Sequence, residues 1–286
     1  MKQIAFLLLA AFSTFSLRAD KSIVLLAGSP SHGKGEHEFR AGCLLLADCL
    51  NQVPGIHATV VSNGWPANTA ILQSADSIVI YADGGDGHPT IRPDRLKLLD
   101  ELAAKGVGIG AAHYGVEVPT GKPGFAMLRW TGGFFETYWS VNPTWEANFT
   151  GLPSHPITRG VRPFKIRDEW YYHMRFAPDM KGVVPILSAV PPKNTVGGDD
   201  AHGGNPFARA ETERGEEQHL MWAYNRPGGG RGFGFTGGHY HENWANDNFR
   251  KLVLNAIVWS AKGEIPGPGV ESKVTPEQLK LNLDPK

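Results

Sequence analysis

His113 stands at the end of Gly106-Val107-Gly108-Ile109-Gly110-Ala111-Ala112-His113-Tyr114-Gly115-Val116-Glu117, an apolar stretch that drives into a sharp turn. Small residues lie two before and two after the histidine. A strand-turn-helix elbow requires such neighbours, because its tip residue sits at a strained backbone angle where a large flanking side chain would collide with the turn. The usual tip is Ser or Cys, a nucleophile; here it is an imidazole. Histidine acts as general base, metal ligand or hydrogen-bond donor and rarely as the attacking atom in acyl transfer. The elbow is expected to hold His113 out of the core, as an exposed position. The plainer alternative is a histidine that caps a glycine-rich strand end. Against it stand several other His and acidic residues at loop positions able to converge on His113.

Those residues fall in three further places. The connection Gly28 to Glu38 packs His32, Glu36, His37 and Glu38 among glycines, and His32 is expected to be the functional histidine of the two. Ala82-Asp83-Gly84-Gly85-Asp86-Gly87-His88 is a second glycine-rich loop with acids and a histidine. Gly237-Gly238-His239-Tyr240-His241-Glu242 closes a late apolar run. Phe164 to His173 reads as a strand that carries Asp168 and Glu169, and carboxylates in such a run need partners because burying one unpaired is costly. Acid-base work is assigned to His113, His239, Glu169 and Glu242. Substrate binding is assigned to His32, Asp83, Asp86, His88, Tyr114, Glu117 and His241. His113 and His239 are also candidate metal ligands; imidazole and carboxylate from separate loops suit a divalent ion such as Zn, although no compact motif of the His-Glu-x-x-His kind is present.

The elements that must position these groups follow from periodicity. Ser22 to Ala27 is a near-continuous apolar run, as in strands buried on both faces of a parallel sheet. A helix follows, with Phe39, Cys43, Leu46, Ala47 and Leu50 at helical spacing, stopped by Pro54-Gly55. His57 to Val61 and Asp76 to Tyr81 are strands, and Pro93 to Lys105 is a helix with Pro at its start and Leu96, Leu99 and Leu102 on one face. Three βα units in a row call for a parallel sheet with right-handed crossovers, a doubly wound, flavodoxin-like α/β fold whose ligands bind at the carboxyl ends of the strands. After Val118, Pro119, Gly121, Pro123 and Gly124 stop any long helix, and the aromatic segment Trp130 to Trp139 is read as a rim that either stacks on sugar rings or packs over the sheet edge. Val183 to Ala189, Gln218 to Tyr224 and Arg231 to Thr236 are further strands, the polar stretch Pro191 to Gly215 a mobile loop, and Phe249 to Ser260 an amphipathic helix. The domain is read as residues 20–263, followed by an extension, 264–286, that wraps it.

Lys plus Arg and Asp plus Glu are equal at 28 each, so no global field draws the chain to nucleic acid, and a small carbohydrate is the expected partner. Homo-oligomerisation is left open. Residues 1–19, with Met1-Lys2-Gln3, an apolar run Ile4 to Phe12 and a small-residue exit at Ala19, read as a signal peptide for a secreted or periplasmic protein. That run is shorter than a membrane span. Cys43 and Cys49, about 9 Å apart on one helix, cannot pair and are read as core residues.

In this order and spacing, Ser31-His32-Gly33, Ala111-Ala112-His113-Tyr114-Gly115, His155-Pro156-Ile157, Asp168-Glu169-Trp170-Tyr171 and Gly237-Gly238-His239 resemble the ThuA-like, trehalose-utilisation family of the class I glutamine amidotransferase-like superfamily. The resemblance spans roughly residues 21 to 262. It implies a flavodoxin-like three-layer sandwich and a role in keto-sugar or disaccharide metabolism. Amidotransferases carry Cys at the elbow and a His-x-Glu pair after the last strand. Here the elbow lacks Cys, which excludes glutamine hydrolysis through a thioester, while His239, His241 and Glu242 remain opposite it. Two functions follow: an exported hydrolase or lyase acting on a glycoside or oxidised sugar, or a non-catalytic sugar-binding protein in a disused amidotransferase pocket.

Overall fold

The computed structural model describes residues 20–285; the segment read as a signal peptide, 1–19, lies outside them. Strands β1 (Lys21–Ala27), β2 (Ile56–Val61), β3 (Ser77–Tyr81) and β4 (Gly108–Ala112) alternate with helices α1 (Phe39–Leu50), α2 (Ala70–Gln73) and α3 (Pro93–Ala104). Then come α4 (Lys122–Trp130), β5 (Gly133–Phe134), β6 (Thr144–Phe149), β7 (Phe164–Glu169), β8 (Arg175–Phe176) and β9 (Val183–Ala189). The chain ends with α5 (Pro206–Arg214), β10 (Gln218–Asn225), β11 (Arg231–Phe235), α6 (Asp247–Ser260) and the tail. The central sheet has the order β2-β1-β3-β4-β11-β10-β9. Its first five strands run parallel, and β10 and β9 are antiparallel to their neighbours.

The apolar run in β1 is continuous because it feeds two cores. Ile23, Leu25 and Ala27 pack with α1 and α6 on one face, and Val24 and Leu26 with α3 and α4 on the other. The period-two alternation of a strand distributes them. On α3, Leu96, Leu99 and Leu102 form the buried stripe, as their spacing predicts. This is the mostly parallel, doubly wound α/β sandwich expected from the sequence. Among the described residues no helix is long and apolar enough to cross a membrane.

Three expectations need correction. The stretch 191–215 holds a helix, α5, capped by Asn205, whose side-chain oxygen accepts from the N–H groups of Phe207 and Ala208. Pro206 at its first turn and Gly215 at φ +69° just past its end are standard start and stop signals. Pro123 opens α4 instead of preventing it, because the missing N–H of proline costs nothing in a first turn. The third correction concerns the elbow: His113 is fully buried, covered by residues from β7's end and from the loops after β1 and β11.

The tail runs back over α1 and α6. Buried Arg250 donates to the Ser272 hydroxyl (2.8 Å) and carbonyl (3.0 Å), and the Asp284 N–H donates to Glu38 Oε2 (2.7 Å).

Candidate functional site

Four adjacent parallel strands, β1, β3, β4 and β11, empty their carboxyl ends at one edge. The loop after β1 supplies His32 and His37, that after β3 Asp83, that after β4 His113, and that after β11 His239. Glu169 and Tyr171 arrive from outside the sheet, at the end of β7. Holding these groups together strains the backbone: His32 (φ 60°), His37 (φ 47°) and His113 (φ 49°) are all left-handed. Such strain persists only where the surroundings over-determine it. The elbow is also packed too tightly for larger neighbours, since a Cβ on Gly84 would lie 2.4 Å from the Tyr114 carbonyl oxygen, and one on Gly115 2.9 Å from that of Ile80.

The histidines meet through nitrogen. His37 Nε2 lies 2.9 Å from His113 Nε2 and 3.0 Å from His239 Nδ1, and the latter two are 3.3 Å apart. Glu169 Oε2 is 3.2 Å from His239 Nδ1 and 3.5 Å from His113 Nε2. Tyr171 donates its hydroxyl proton to Glu169 Oε2 (3.2 Å).

Counting protons shows what this centre requires. His113 Nδ1 faces the Thr236 carbonyl at 2.9 Å, which can only accept, so Nδ1 carries the proton and Nε2 a lone pair. His37 Nδ1 faces the Asp83 carboxylate at 3.3 Å, so its Nε2 is likewise a lone pair. With both rings neutral, two lone pairs point at each other across 2.9 Å, and the Tyr171 hydroxyl, 3.2 Å from His113 Nε2, is the one hydroxyl among the described residues that reaches either. His239 turns Nε2 toward Glu36 Oε1 (3.6 Å) and Nδ1 into the same centre. A proton on His239 reaches His37, His113 and Glu169 but leaves the His37–His113 contact unrelieved. A cation among the four atoms relieves every contact at once. Five of their six separations, 2.9–3.5 Å, lie around the edge of a zinc tetrahedron, about 3.3 Å for bonds of about 2.0–2.1 Å, and all four atoms lie within 4.8 Å of one another.

The surroundings hold two of the imidazoles, His37 and His113, neutral. Burial pushes His113 well below the ordinary imidazole pKa, with His37 adding to the effect, and burial also lowers His37 against the opposing pull of Asp83. His239 differs: burial lowers it, but the Glu169 carboxylate wins and the net shift is upward. Asp83 is lowered because the hydrogen bonds from His37 and Ser31 outweigh its burial. Each imidazole thus has an outer acceptor that fixes its ring, as metal-ligating histidines do. Buried Asp168 orients the loop after β11, accepting from the N–H groups of Gly238 (2.8 Å), His239 (3.0 Å) and Glu169 (2.8 Å) and from Asn243 Nδ2 (3.0 Å).

Of the residues singled out in the sequence, His113, His239 and Glu169 share the centre. His32 and Asp83 stand beside it: the His32 ring is exposed, stacks on His37 at 3.6 Å between centroids, and contacts Ser31 Oγ at 3.0 Å, which in turn donates to Asp83 at 2.7 Å. Tyr114 is half-buried, its ring 5.7 Å from that of His37. Glu117 is buried next door, paired with His202 Nε2 (3.1 Å), and burial raises its pKa. The remaining four lie outside the centre. His88 is a buried structural histidine bonded to Gly115 and Thr90. Asp86 and Glu242 are exposed, and His241 is buried on the far side of Tyr240 against a separate cavity. Sequence reasoning favoured His32 over His37; in the structure His37 makes the inward contacts and His32 the outward ones. Tyr171 also went unassigned, although its place two residues after Glu169 puts it on the same side of an extended chain.

A family profile described as "ThuA: Trehalose utilisation" matches residues 30–260. Among solved structures, the chain is similar to a ThuA-like protein from Bacteroides uniformis, with 16% identity, TM-score 0.59, and coverage of 89% of this chain and 98% of that one. A ThuA-like protein from Parabacteroides merdae gives 16% identity and TM-score 0.58 over 86% and 91%. At these identities the likeness is one of fold. No curated protein matches the chain.

Proposed function

The chain belongs to the ThuA, trehalose-utilisation family, and on that premise we propose that its His37–His113–His239–Glu169 centre holds a divalent cation such as zinc and acts on a glycoside or keto-sugar as a hydrolase or lyase. The observation that carries this reading is the convergence of four ligand atoms within 4.8 Å, with His37 Nε2 and His113 Nε2 2.9 Å apart and the far nitrogen of each ring turned to an acceptor. A bound cation would supply Lewis acidity toward a sugar oxygen. The chain's own residues do the rest. Asp83, Glu36 and the Thr236 carbonyl orient the three imidazoles, and Tyr171 steadies Glu169. His32, whose ring is exposed beside the cluster, is the residue we assign to proton exchange with the substrate. The elbow has no thiol; both cysteines are free and buried in α1, so the glutaminase chemistry of the superfamily does not transfer.

One observation favours the second reading, a non-catalytic sugar-binding protein. Four protein donors within 4.8 Å of one another are the pattern of structural zinc sites, whereas catalytic ones keep a position open. Metal analysis of the purified protein, followed by a mass-spectrometric screen of oxidised and unoxidised disaccharides, separates the possibilities. Bound metal with turnover supports the enzyme, bound metal with sugar binding alone supports the second reading, and absence of metal after exposure to Zn, Mn, Co and Ni removes both forms of the centre. Export is part of the proposal, on the strength of the charged start and apolar run at residues 1–19. Recovery of native protein that retains Met1 in the cytoplasmic fraction would overturn it.

A further inference from the structure

Arg226 opens the turn that joins β10 to β11, at the amino ends of β4 and β11 and so at the edge of the sheet opposite the histidine centre. It is 7% exposed, and its guanidinium carries five N–H groups. One nitrogen, Nη2, donates to the Val107 carbonyl, while Nε and Nη1 have no partner among the described residues. A buried charge is tolerated when it is paired and hydrogen-bonded, and is costly otherwise. Here the acceptor is a neutral carbonyl. Burial pushes the guanidinium down to about 10, and Tyr224 is the one group whose field opposes that; no carboxylate does.

The neighbours do not supply the missing charge. Arg226 lines a cavity of about 410 Å³ together with Tyr224, Trp130, Arg129 and Asp100, a volume within the roughly 300–1,000 Å³ of small-molecule sites. Asp100 is the one carboxylate among the lining residues, and it is already engaged: Arg129 donates to it from Nε (3.2 Å) and Nη2 (2.7 Å), and Trp130 from Nε1 (2.8 Å). With Arg129 and Asp100 cancelling, the lining keeps a net positive charge, that of Arg226. Gly230 lacks the Cβ that would collide with the guanidinium, and Pro227, Gly228 and Gly229 are exposed. A turn of three glycines has the backbone freedom to shift and admit a ligand to Nε and Nη1, which are otherwise closed to solvent. The unpaired group also sets what is selected. A planar guanidinium fork offers parallel N–H groups that match a carboxylate or a phosphate, and the Trp130 and Tyr224 rings suit an organic remainder behind the anionic head.

We propose that this cavity binds a small organic oxyanion, a carboxylate or a phosphate ester, through the Arg226 guanidinium, with Arg129 as a second cationic donor. The site is separate from the histidine centre and stands whether or not that centre holds a metal. Calorimetry and thermal unfolding of the full chain test it, in chloride at constant ionic strength, with inorganic phosphate and acetate as probes. Wild-type protein is expected to bind at least one probe saturably and to melt higher in its presence. In Arg226→Met the affinity for that probe should fall by roughly tenfold or more. Arg129→Gln, a change at an exposed position, removes a donor and frees Asp100 to pair with Arg226, so it should weaken binding in the same direction; it carries the test if Arg226→Met does not fold. Saturation by phosphate alone assigns the site to phosphate esters, and saturation by acetate alone assigns it to carboxylates. Absence of saturable binding of both probes to the wild-type protein overturns the site. So does equal affinity in wild type and Arg226→Met, or in wild type and Arg129→Gln where the first variant does not fold.

Discussion

His88 and the trio His37, His113 and His239 lie at the same edge of the sheet and are all buried, yet they solve the problem of a buried imidazole in opposite ways. His88 donates from Nε2 to the Gly115 carbonyl (3.0 Å) and accepts at Nδ1 from the Thr90 hydroxyl (2.9 Å) and N–H (3.2 Å). Both nitrogens are used, one as donor and one as acceptor, and a neutral ring needs nothing more. In the trio the outer nitrogens are used in the same way, but the inner ones face each other. Burial is common to both regions; what differs is whether the second nitrogen finds a proton or another lone pair. Backbone strain divides them too, since His37 and His113 are left-handed and His88 is extended.

Truncating one histidine from each region should separate the two most strongly. His113→Ala should abolish stoichiometric zinc binding and lower any sugar turnover by at least the 10²–10⁴-fold typical of a positioned catalytic group, while His88→Ala keeps its zinc. Equal metal loss in the two variants, measured by elemental analysis, would erase the distinction. The next effect is on stability. Burial lowers His88 from 6.5 to about 4. Its folded value is depressed, so the unfolded chain binds the proton first; the stabilisation is complete above pH 6.5, is lost as pH falls from 6.5 to about 4, and amounts to roughly 3 kcal/mol. Urea titrations across that range should show a shallower pH slope for His88→Gln than for wild type, and an unchanged slope would refute the assignment. Third, Asp83→Asn weakens the acceptor that fixes His37 and should cost 10–100-fold in zinc affinity, as other outer-shell changes do; a competition assay with a chelating dye would measure it. The smallest effect is expected three residues away: Asp86→Asn, at an exposed position, should stay within about 0.5 kcal/mol of wild type with its zinc affinity intact.

The first half of the chain was largely legible because its patterns are local. Apolar runs, a proline-initiated helix and glycine-rich strand ends predicted β1 to β4, and the rule that ligands gather at carboxyl ends placed His113, His239 and Asp83 together. Glu169 stood out because a carboxylate in a strand needs a reason. The roles of His32 and His37 were not legible, since two histidines five residues apart in a glycine-rich loop look alike until the turns at Gly35 and His37 determine which ring faces inward. Asp86, His88 and Glu242 have the right residue types in the right loops, and only the three-dimensional turn directs them elsewhere. Helix α5 was signalled by Asn205-Pro206 and Gly215 but overlooked in a polar stretch whose buried face is reduced to Ala208 and Thr212.

The cluster also bears on the timing of biosynthesis. His37 and His239 meet across 202 positions of sequence, and the loop that carries His37 is tied, through Glu38, to Asp284 near the end of the chain. Synthesis adds roughly 5–20 residues per second, so His37 leaves the ribosome on the order of 10–40 s before His239, the last of the four donors. The proposed centre stays incomplete until His239 has emerged, and an ion met earlier would find at most three of its four donors.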